Sequence, residues 1–168
     1  MSILDILNAL LESKLVDIGR GGSMAWLVFR KKKGAEYSLH LQCPFRFERN
    51  NEILVARDDI FYPNTSSTKD DCDFDWDIIG NNLYDEKVLQ IKNKYYVKEC
   101  IIGKFNDLII RFTDNVVLYC FSNNACKAEQ WRFFEAVEYK TKEERYNAYE
   151  QGTNKKHLVV TSVDYELV

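Results

Sequence analysis

The stretch DLIIRFTDNVVLYCF, residues 107–121, contains the strongest β-hairpin pattern in the chain. Apolar residues alternate from Leu108 to Phe112, which is the period of a strand with one buried face. Residues 113–115, Thr-Asp-Asn, are typical of a tight turn. An apolar run over residues 116–121 follows the turn. The stretch therefore predicts two antiparallel strands joined by a short turn.

Six further segments have a strand-like composition, rich in β-branched and aromatic residues. They are residues 24–30, 37–48, 53–56, 95–105, 130–137 and 157–168. Pro44 interrupts the second segment. Because proline donates no backbone hydrogen bond, we expect a bulge or an edge position there.

Three segments are predicted to be helical. Residues 2–15 repeat leucine and isoleucine at helical spacing, with Ser2 as the N-cap, and this helix should end before a flexible break at residues 19–22. Shorter helices are predicted within residues 81–92 and 143–151. We therefore expect a single α+β domain over residues 1–168, with an antiparallel-rich sheet of about eight strands, an N-terminal helix and one or two short peripheral helices.

The cysteine pattern and the N-terminal segment bear on the cellular compartment. The five cysteines are an odd number and no pair has CxxC spacing, which favours reduced thiols. The N-terminal segment lacks the features of a signal peptide, and no stretch approaches the roughly 20 apolar residues that cross a bilayer. We therefore expect a cytoplasmic protein that does not enter the membrane.

Negative charge is concentrated in one part of the chain. Residues 51–80 contain eight acidic and two basic residues, a net charge of −6, whereas the whole chain has a net charge of −3. The remainder is therefore mildly basic, with a net charge of +3. The overall acidity argues against a nucleic-acid-binding protein, and we expect no direct contact with nucleic acid.

The sequence DDCDFDWD, residues 70–77, lies in this acidic segment within a long connection of little periodicity. Its spacing is similar to that of an EF-hand calcium loop, but Trp76 stands where that loop needs glycine and Asn82 where it needs glutamate. We therefore expect no metal. Two interpretations stay open: a solvated acidic loop, or a strip that attracts a basic protein and anchors it with aromatic rings. The candidate partner-binding residues are Asp70, Asp71, Asp73, Phe74, Asp75, Trp76 and Asp77.

Catalytic motifs are absent from the sequence. It has no GxSxG, HExxH or Walker-type loop, and the two histidines, His40 and His157, are far apart in predicted strands. We expect a non-enzymatic protein without a cofactor. Two alternatives stay open: a ligand-binding protein or enzyme with a His or Cys pocket, and a homodimeric structural or regulatory subunit associating through Trp131 and Phe133.

The C-terminal half resembles small bacterial immunity proteins that are paired with polymorphic or contact-dependent growth-inhibition toxins. The resemblance is carried by Asn106-Asp107-Leu108, Phe112, Asn115, Leu118, Phe121, Trp131 and Arg132. It covers about a third of the chain, and Val116 departs from the glycine that often follows the asparagine. The resemblance implies a non-catalytic protein that binds and neutralises a cognate toxin domain. We expect that partner to be a basic domain, a nuclease, whose phosphate-binding groove the acidic loop would occupy.

Overall fold

The computed structural model describes residues 1–66, 74–136 and 157–168. Two α-helices lie in these ranges, α1 (Ile3–Leu7) and α2 (Leu83–Lys87), together with short 3₁₀ helices. The strands in these ranges are β1 (Lys14–Gly21), β2 (Met24–Arg30), β3 (Glu36–Leu41), β4 (Phe45–Arg49), β5 (Glu52–Ala56), β6 (Val97–Ile102), β7 (Leu108–Phe112), β8 (Val116–Cys120), β9 (Trp131–Ala136), β10 (Leu158–Val160) and β11 (Tyr165–Leu167).

The strands form two antiparallel sheets. The first has six strands in the order β1-β2-β3-β9-β10-β11, and the second has five in the order β5-β4-β8-β7-β6. The predicted α+β class is confirmed. The expected sheet of about eight strands is instead two sheets, with eleven strands in the described ranges.

The hydrophobic core lies between the two sheets. The ring of Phe29, in the six-stranded sheet, stacks against Phe112 of the five-stranded sheet with the centroids 6.4 Å apart. Phe47 of β4, in the same sheet as Phe112, also approaches the Phe112 ring, with the centroids 6.1 Å apart. Leu7 at the end of α1 and Leu10 just after it are fully buried in the same core. The apolar faces of the strands in both sheets are therefore buried in one shared core.

Residues 42–44 carry the chain from the first sheet to the second. The segment predicted as one strand over residues 37–48 is divided, with β3 in one sheet and β4 in the other. Pro44 has no N–H for a sheet ladder, but its carbonyl oxygen accepts a hydrogen bond from the Phe121 N–H at 2.9 Å. The expected irregularity at Pro44 is thus a crossing between sheets.

The N-terminal helix is much shorter than predicted. Its capping box between Ser2 and Asp5 is present, but α1 and the following 3₁₀ turn end at Leu10, and residues 14–21 form β1. The predicted flexible break at residues 19–22 is therefore wrong, because Gly19 to Gly21 pair with β2 along its length. Tertiary pairing has overridden the helical spacing of the leucines.

The chain's C-terminal segment is a hairpin. Residues 157–168, predicted as one strand, form β10 and β11, which pair with each other. The Thr161 hydroxyl oxygen accepts the Asp164 N–H at 3.0 Å and thereby closes the turn. The helix predicted at residues 143–151 lies outside the described residues.

The hairpin of residues 107–121 is confirmed. Strands β7 and β8 pair antiparallel, and Leu108 and Phe112 are buried as their alternation predicts. Asp114 and Asn115 both adopt a left-handed backbone with φ of 58°, which Asp and Asn tolerate better than most residues. The short helix predicted within residues 81–92 is also confirmed as α2, with Asn82 as its side-chain N-cap.

Candidate functional site

A buried ion pair lies beneath the acidic segment. Arg20 of β1 pairs with Ala25 of β2 and points inward, and its side chain is 0% exposed. Its Nε donates to Asp85 Oδ1 at 3.0 Å and its Nη2 to Asp85 Oδ2 at 3.1 Å. Asp85 lies in the first turn of α2, directly after the acidic segment. The pair therefore joins the first sheet to the end of this long connection.

The same guanidinium group holds the backbone of residues 76–78. Arg20 Nη2 donates to the carbonyl oxygens of Trp76 at 2.9 Å and Ile78 at 3.1 Å, and lies 3.5 Å from that of Asp77. Asp85 Oδ2 accepts the Gly80 N–H at 2.8 Å. Because a buried charge is stable only when its hydrogen bonds are satisfied, this arrangement fixes the loop in one position.

The outer side of this loop carries exposed apolar side chains. The Trp76 ring packs edge-on against Phe61 with centroids 5.3 Å apart, yet remains 37% exposed. Residues 62–64 run beside residues 81–83, since the Leu83 N–H donates to the Tyr62 carbonyl oxygen at 2.8 Å. We name the docking surface as Phe61, Tyr62, Trp76, Ile78 and Ile79, all at least 37% exposed, together with the exposed Asp75 and Asp77.

The carboxylates of the docking surface face solvent. Asp75 Oδ1 accepts the Asp77 N–H at 3.0 Å, which stabilises the local turn. No described lysine or arginine lies within ion-pairing distance of either carboxylate; the ion pairs of the described chain involve other acids. Within the described ranges this negative charge therefore has no ion-pairing partner, and it lies beside apolar rings.

Only part of the predicted acidic strip can be compared with the structure. Asp75, Trp76 and Asp77 are exposed and Phe74 is half-buried, whereas Asp70, Asp71 and Asp73 lie outside the described residues. The extended strip expected over residues 71–77 does not continue through Trp76 and Asp77, because both lie in a turn.

Sequence reasoning missed several members of this region. Four apolar residues are exposed in the folded chain although no sequence pattern distinguishes them from buried residues: Phe61, Tyr62, Ile78 and Ile79. Arg20 lies in the predicted flexible break, and its partner Asp85 is 65 residues away in the chain, so no local pattern indicates the pair. The one sequence signal for this region is the presence of apolar residues beside an acidic run, and it indicates Phe74 and Trp76 alone.

The two histidines, distant in sequence, lie close together on the outer face of the six-stranded sheet. Phe134 is stacked on His157 with centroids 4.2 Å apart, and His40 meets the same ring edge-on at 5.0 Å. Arg132, on the same face, donates a hydrogen bond from Nη2 to Glu129, and its Nη1 lies 3.4 Å from His157 Nδ1. Burial, with the Arg132 cation as the second cause, lowers the pKa of both histidines, so both are neutral at pH 7.

These histidines are not gathered in a cavity. A cleft of about 160 Å³ opens elsewhere, at the start of β4 and the end of β5, and no histidine or cysteine lines it. Trp131 and Phe133, the residues of the homodimer alternative, are buried in the core. They are therefore not available for an interface.

The described cysteines are free thiols. Cys43, Cys100 and Cys120 are buried and Cys126 is exposed. Burial raises the pKa of Cys100 to about 12 and that of Cys120 well above its usual range, whereas a hydrogen bond from Cys120 lowers the pKa of Cys43. Cys100 and Cys120 thus act as small core residues, as their strand positions predict.

The described part of the chain lacks two further features. It contains no cluster of three or more His, Cys, Asp or Glu side chains arranged to hold a metal ion. It also contains no helix with the length and apolarity needed to cross a membrane. Comparison with protein-family models, curated proteins and solved structures finds no match to this chain.

Proposed function

We propose that this chain is a non-catalytic immunity-type protein that binds a basic toxin domain, a nuclease, through the docking surface. The observation that carries the proposal is a set of exposed aromatic and aliphatic side chains beside two carboxylates that no described cation neutralises. Exposed apolar side chains clustered in this way mark interaction sites on soluble proteins. The resemblance of the C-terminal half to immunity proteins supports the same function.

The chemistry of the surface favours a cationic partner. Trp and Tyr are enriched among the residues that dominate binding energies, because they bury a large area with few rotatable bonds. Asp75 and Asp77 attract basic groups at long range and accelerate association. A nuclease groove that binds phosphates offers such basic groups, so an acidic surface that fills it would exclude the nucleic acid.

The anchoring by Arg20 supports binding in a second way. Three successive carbonyl groups, those of Trp76, Asp77 and Ile78, face one buried guanidinium group. A loop that is already ordered loses less conformational entropy when it binds. The docking surface is therefore preorganised, and its rings need little rearrangement to meet a partner.

The test uses a toxin domain encoded beside this chain's gene and measures its association by stopped flow at several salt concentrations. The double variant Asp75→Asn/Asp77→Asn should slow association by about tenfold at low salt and flatten the salt dependence. Trp76→Ala should weaken the complex by about 30-fold, the equivalent of a contact worth about 2 kcal/mol.

The matched control is Asp114→Asn, which removes an exposed carboxylate from the β7–β8 turn and keeps a residue that tolerates its φ of 58°. This variant should bind like the wild-type chain. Equal association rates for the wild type and the Asp75/Asp77 double variant at every salt concentration would refute the docking surface.

A further inference from the structure

A cleft of about 160 Å³ lies at the start of the 3₁₀ helix that carries Phe61. Pro44, Phe45 and Phe121 form its apolar wall, and Arg46, Arg57 and Asp58 provide its charged groups. A cavity of about 150 Å³ is large enough for a molecule the size of benzene. The cleft can therefore admit one amino-acid side chain.

The two arginines of the cleft differ in their hydrogen-bond and ion-pair partners. Arg46 forms an ion pair with Glu48, and its guanidinium group lies 4.8 Å from the centroid of the Phe121 ring. Arg57 has a buried Nε with no hydrogen-bond partner in the described chain, and its nearest carboxylate, Asp58, is 3.8 Å away and 76% exposed. Among the described residues, the one carboxylate within ion-pairing distance of Arg57 is thus that of Asp58, and this contact is long and largely exposed to solvent.

The cleft is continuous with the docking surface. Arg57 to Phe61 form one 3₁₀ helix, in which residues three apart lie on the same side. Asp58, at the rim of the cleft, and Phe61, in contact with Trp76, are three residues apart. At about 2 Å of rise per residue, their Cα atoms are separated by about 6 Å along the helix axis. A partner that covers Phe61 is therefore close enough to reach Asp58 at the cleft.

We propose that the cleft receives an aspartate or glutamate side chain of the bound partner, and that Arg57 is the residue that selects it. The inference rests on the proposed docking function. A planar guanidinium group binds carboxylates through two parallel hydrogen bonds. The Arg57 side chain is only 23% exposed, and its limited contact with water strengthens such a pair. The partner is therefore a basic surface with a single acidic side chain at the position facing Arg57.

A first experiment needs no partner. N-acetyl-glutamate N-methylamide is titrated into the ¹⁵N-labelled chain, and N-acetyl-glutamine N-methylamide serves as the neutral probe of the same size. The acidic probe should bind saturably in the millimolar range, as expected for so small a ligand, with the largest shifts at the amides of Arg57, Asp58 and Phe121. The neutral probe should bind at least about tenfold more weakly.

Variants identify the group responsible. Arg57→Met should abolish the saturable chemical-shift changes. Arg57→Lys should weaken the binding of the acidic probe, because lysine keeps the positive charge but lacks the two parallel N–H donors of the guanidinium group. Arg111→Met is the control, since Arg111 is an exposed arginine of β7 paired with Glu99. Equal binding of the acidic probe by the wild type and by Arg57→Met, or equal binding of the two probes by the wild type, would overturn the inference.

The toxin complex separates this inference from the proposed function. Arg57→Met should weaken the complex by about 10- to 100-fold, and mutation of the facing acidic residue of the toxin should add little further loss. A complex that depends on Asp75 and Asp77 but not on Arg57 would refute the cleft and leave the docking surface intact. A chain that binds the acidic probe but no toxin domain would refute the proposed function alone.

Discussion

Replacement of Arg20 by methionine should strongly destabilise the protein. The Arg20 side chain is fully buried and Asp85 is only 12% exposed, so the change leaves a carboxylate in a nearly dry environment without its cation. It also removes the donor shared by the carbonyl oxygens of residues 76–78 and the donor to the Gly22 carbonyl oxygen at 3.2 Å. Methionine fills a similar volume, so the effect reports mainly on charge and hydrogen bonding.

The size of the effect follows from the burial of the pair. Removal of one member of a buried ion pair costs about 3–5 kcal/mol of unfolding free energy. With a urea dependence of about 2 kcal/mol/M, typical of a domain of this size, the unfolding midpoint should fall by about 1.5–2.5 M. Arg20→Met/Asp85→Leu should recover part of the loss, because no charge is then left unpaired. Recovery stays incomplete since Asp85 also accepts the Gly80 N–H.

Equilibrium urea unfolding, followed by circular dichroism, measures these midpoints, and hydrogen exchange at residues 76–80 reports on the loop itself. Arg111→Met is the control, because Arg111 and Glu99 are 55% and 56% exposed and such pairs contribute at most about 1 kcal/mol. A midpoint shift for Arg20→Met no larger than that of Arg111→Met would show that the buried pair does not hold the loop.

Two further predictions concern the six-stranded sheet. Gly19→Ala places a Cβ within 2.8 Å of Trp26 Cε2 and should lower the free energy of unfolding in urea by about 1–3 kcal/mol. Gly21→Ala is the control and should cost much less, because no atom lies within 4 Å of the added Cβ. Equal unfolding midpoints for the two variants would contradict the close packing of Trp26 against Gly19. In the folded state the pKa values of His40 and His157 are lowered below the ordinary value of about 6.5. Below that pH the unfolded chain therefore binds more protons than the folded chain, so the free energy of unfolding should be constant with respect to these groups above about pH 6.5 and should decrease as the pH falls below it. The double variant His40→Asn/His157→Asn should lose less stability than the wild type between pH 7 and pH 5, and identical pH profiles would exclude these histidines as the cause.

The fold was predictable where local pattern and tertiary environment agree. The alternation in residues 108–112 and the turn at residues 113–115 are local, and both appear in the structure as predicted. Residues 14–15, predicted as helix, and residues 19–21, predicted as a flexible break, belong instead to β1. The helical spacing of the leucines is a local pattern, whereas the pairing of β1 with β2 is nonlocal. Helical spacing over a short segment is too weak to oppose the row of sheet hydrogen bonds between β1 and β2.

The candidate site was predictable only in its charge. The acidic run is visible in the sequence, and its described members Asp75 and Asp77 are exposed. The exposure of Phe61 and Ile79 was not predictable, because an apolar residue in a long connection has the same composition whether it is buried or exposed. The same holds for the meeting of His40 and His157 at Phe134, which depends on β3, β9 and β10 being neighbours.

By itself the sequence determined the α+β class, most of the strands and the place where negative charge accumulates, since each depends on residues close together in the chain. The tertiary structure alone decided that the strands divide into two stacked sheets, that Arg20 is buried beneath the loop at residues 76–78, and that a cleft opens beside Arg57. The physical reason is that a buried ion pair or a cleft is made by groups from distant segments. The energies of such interactions depend on the burial of the groups and the distance between them, and a short stretch of sequence determines neither quantity.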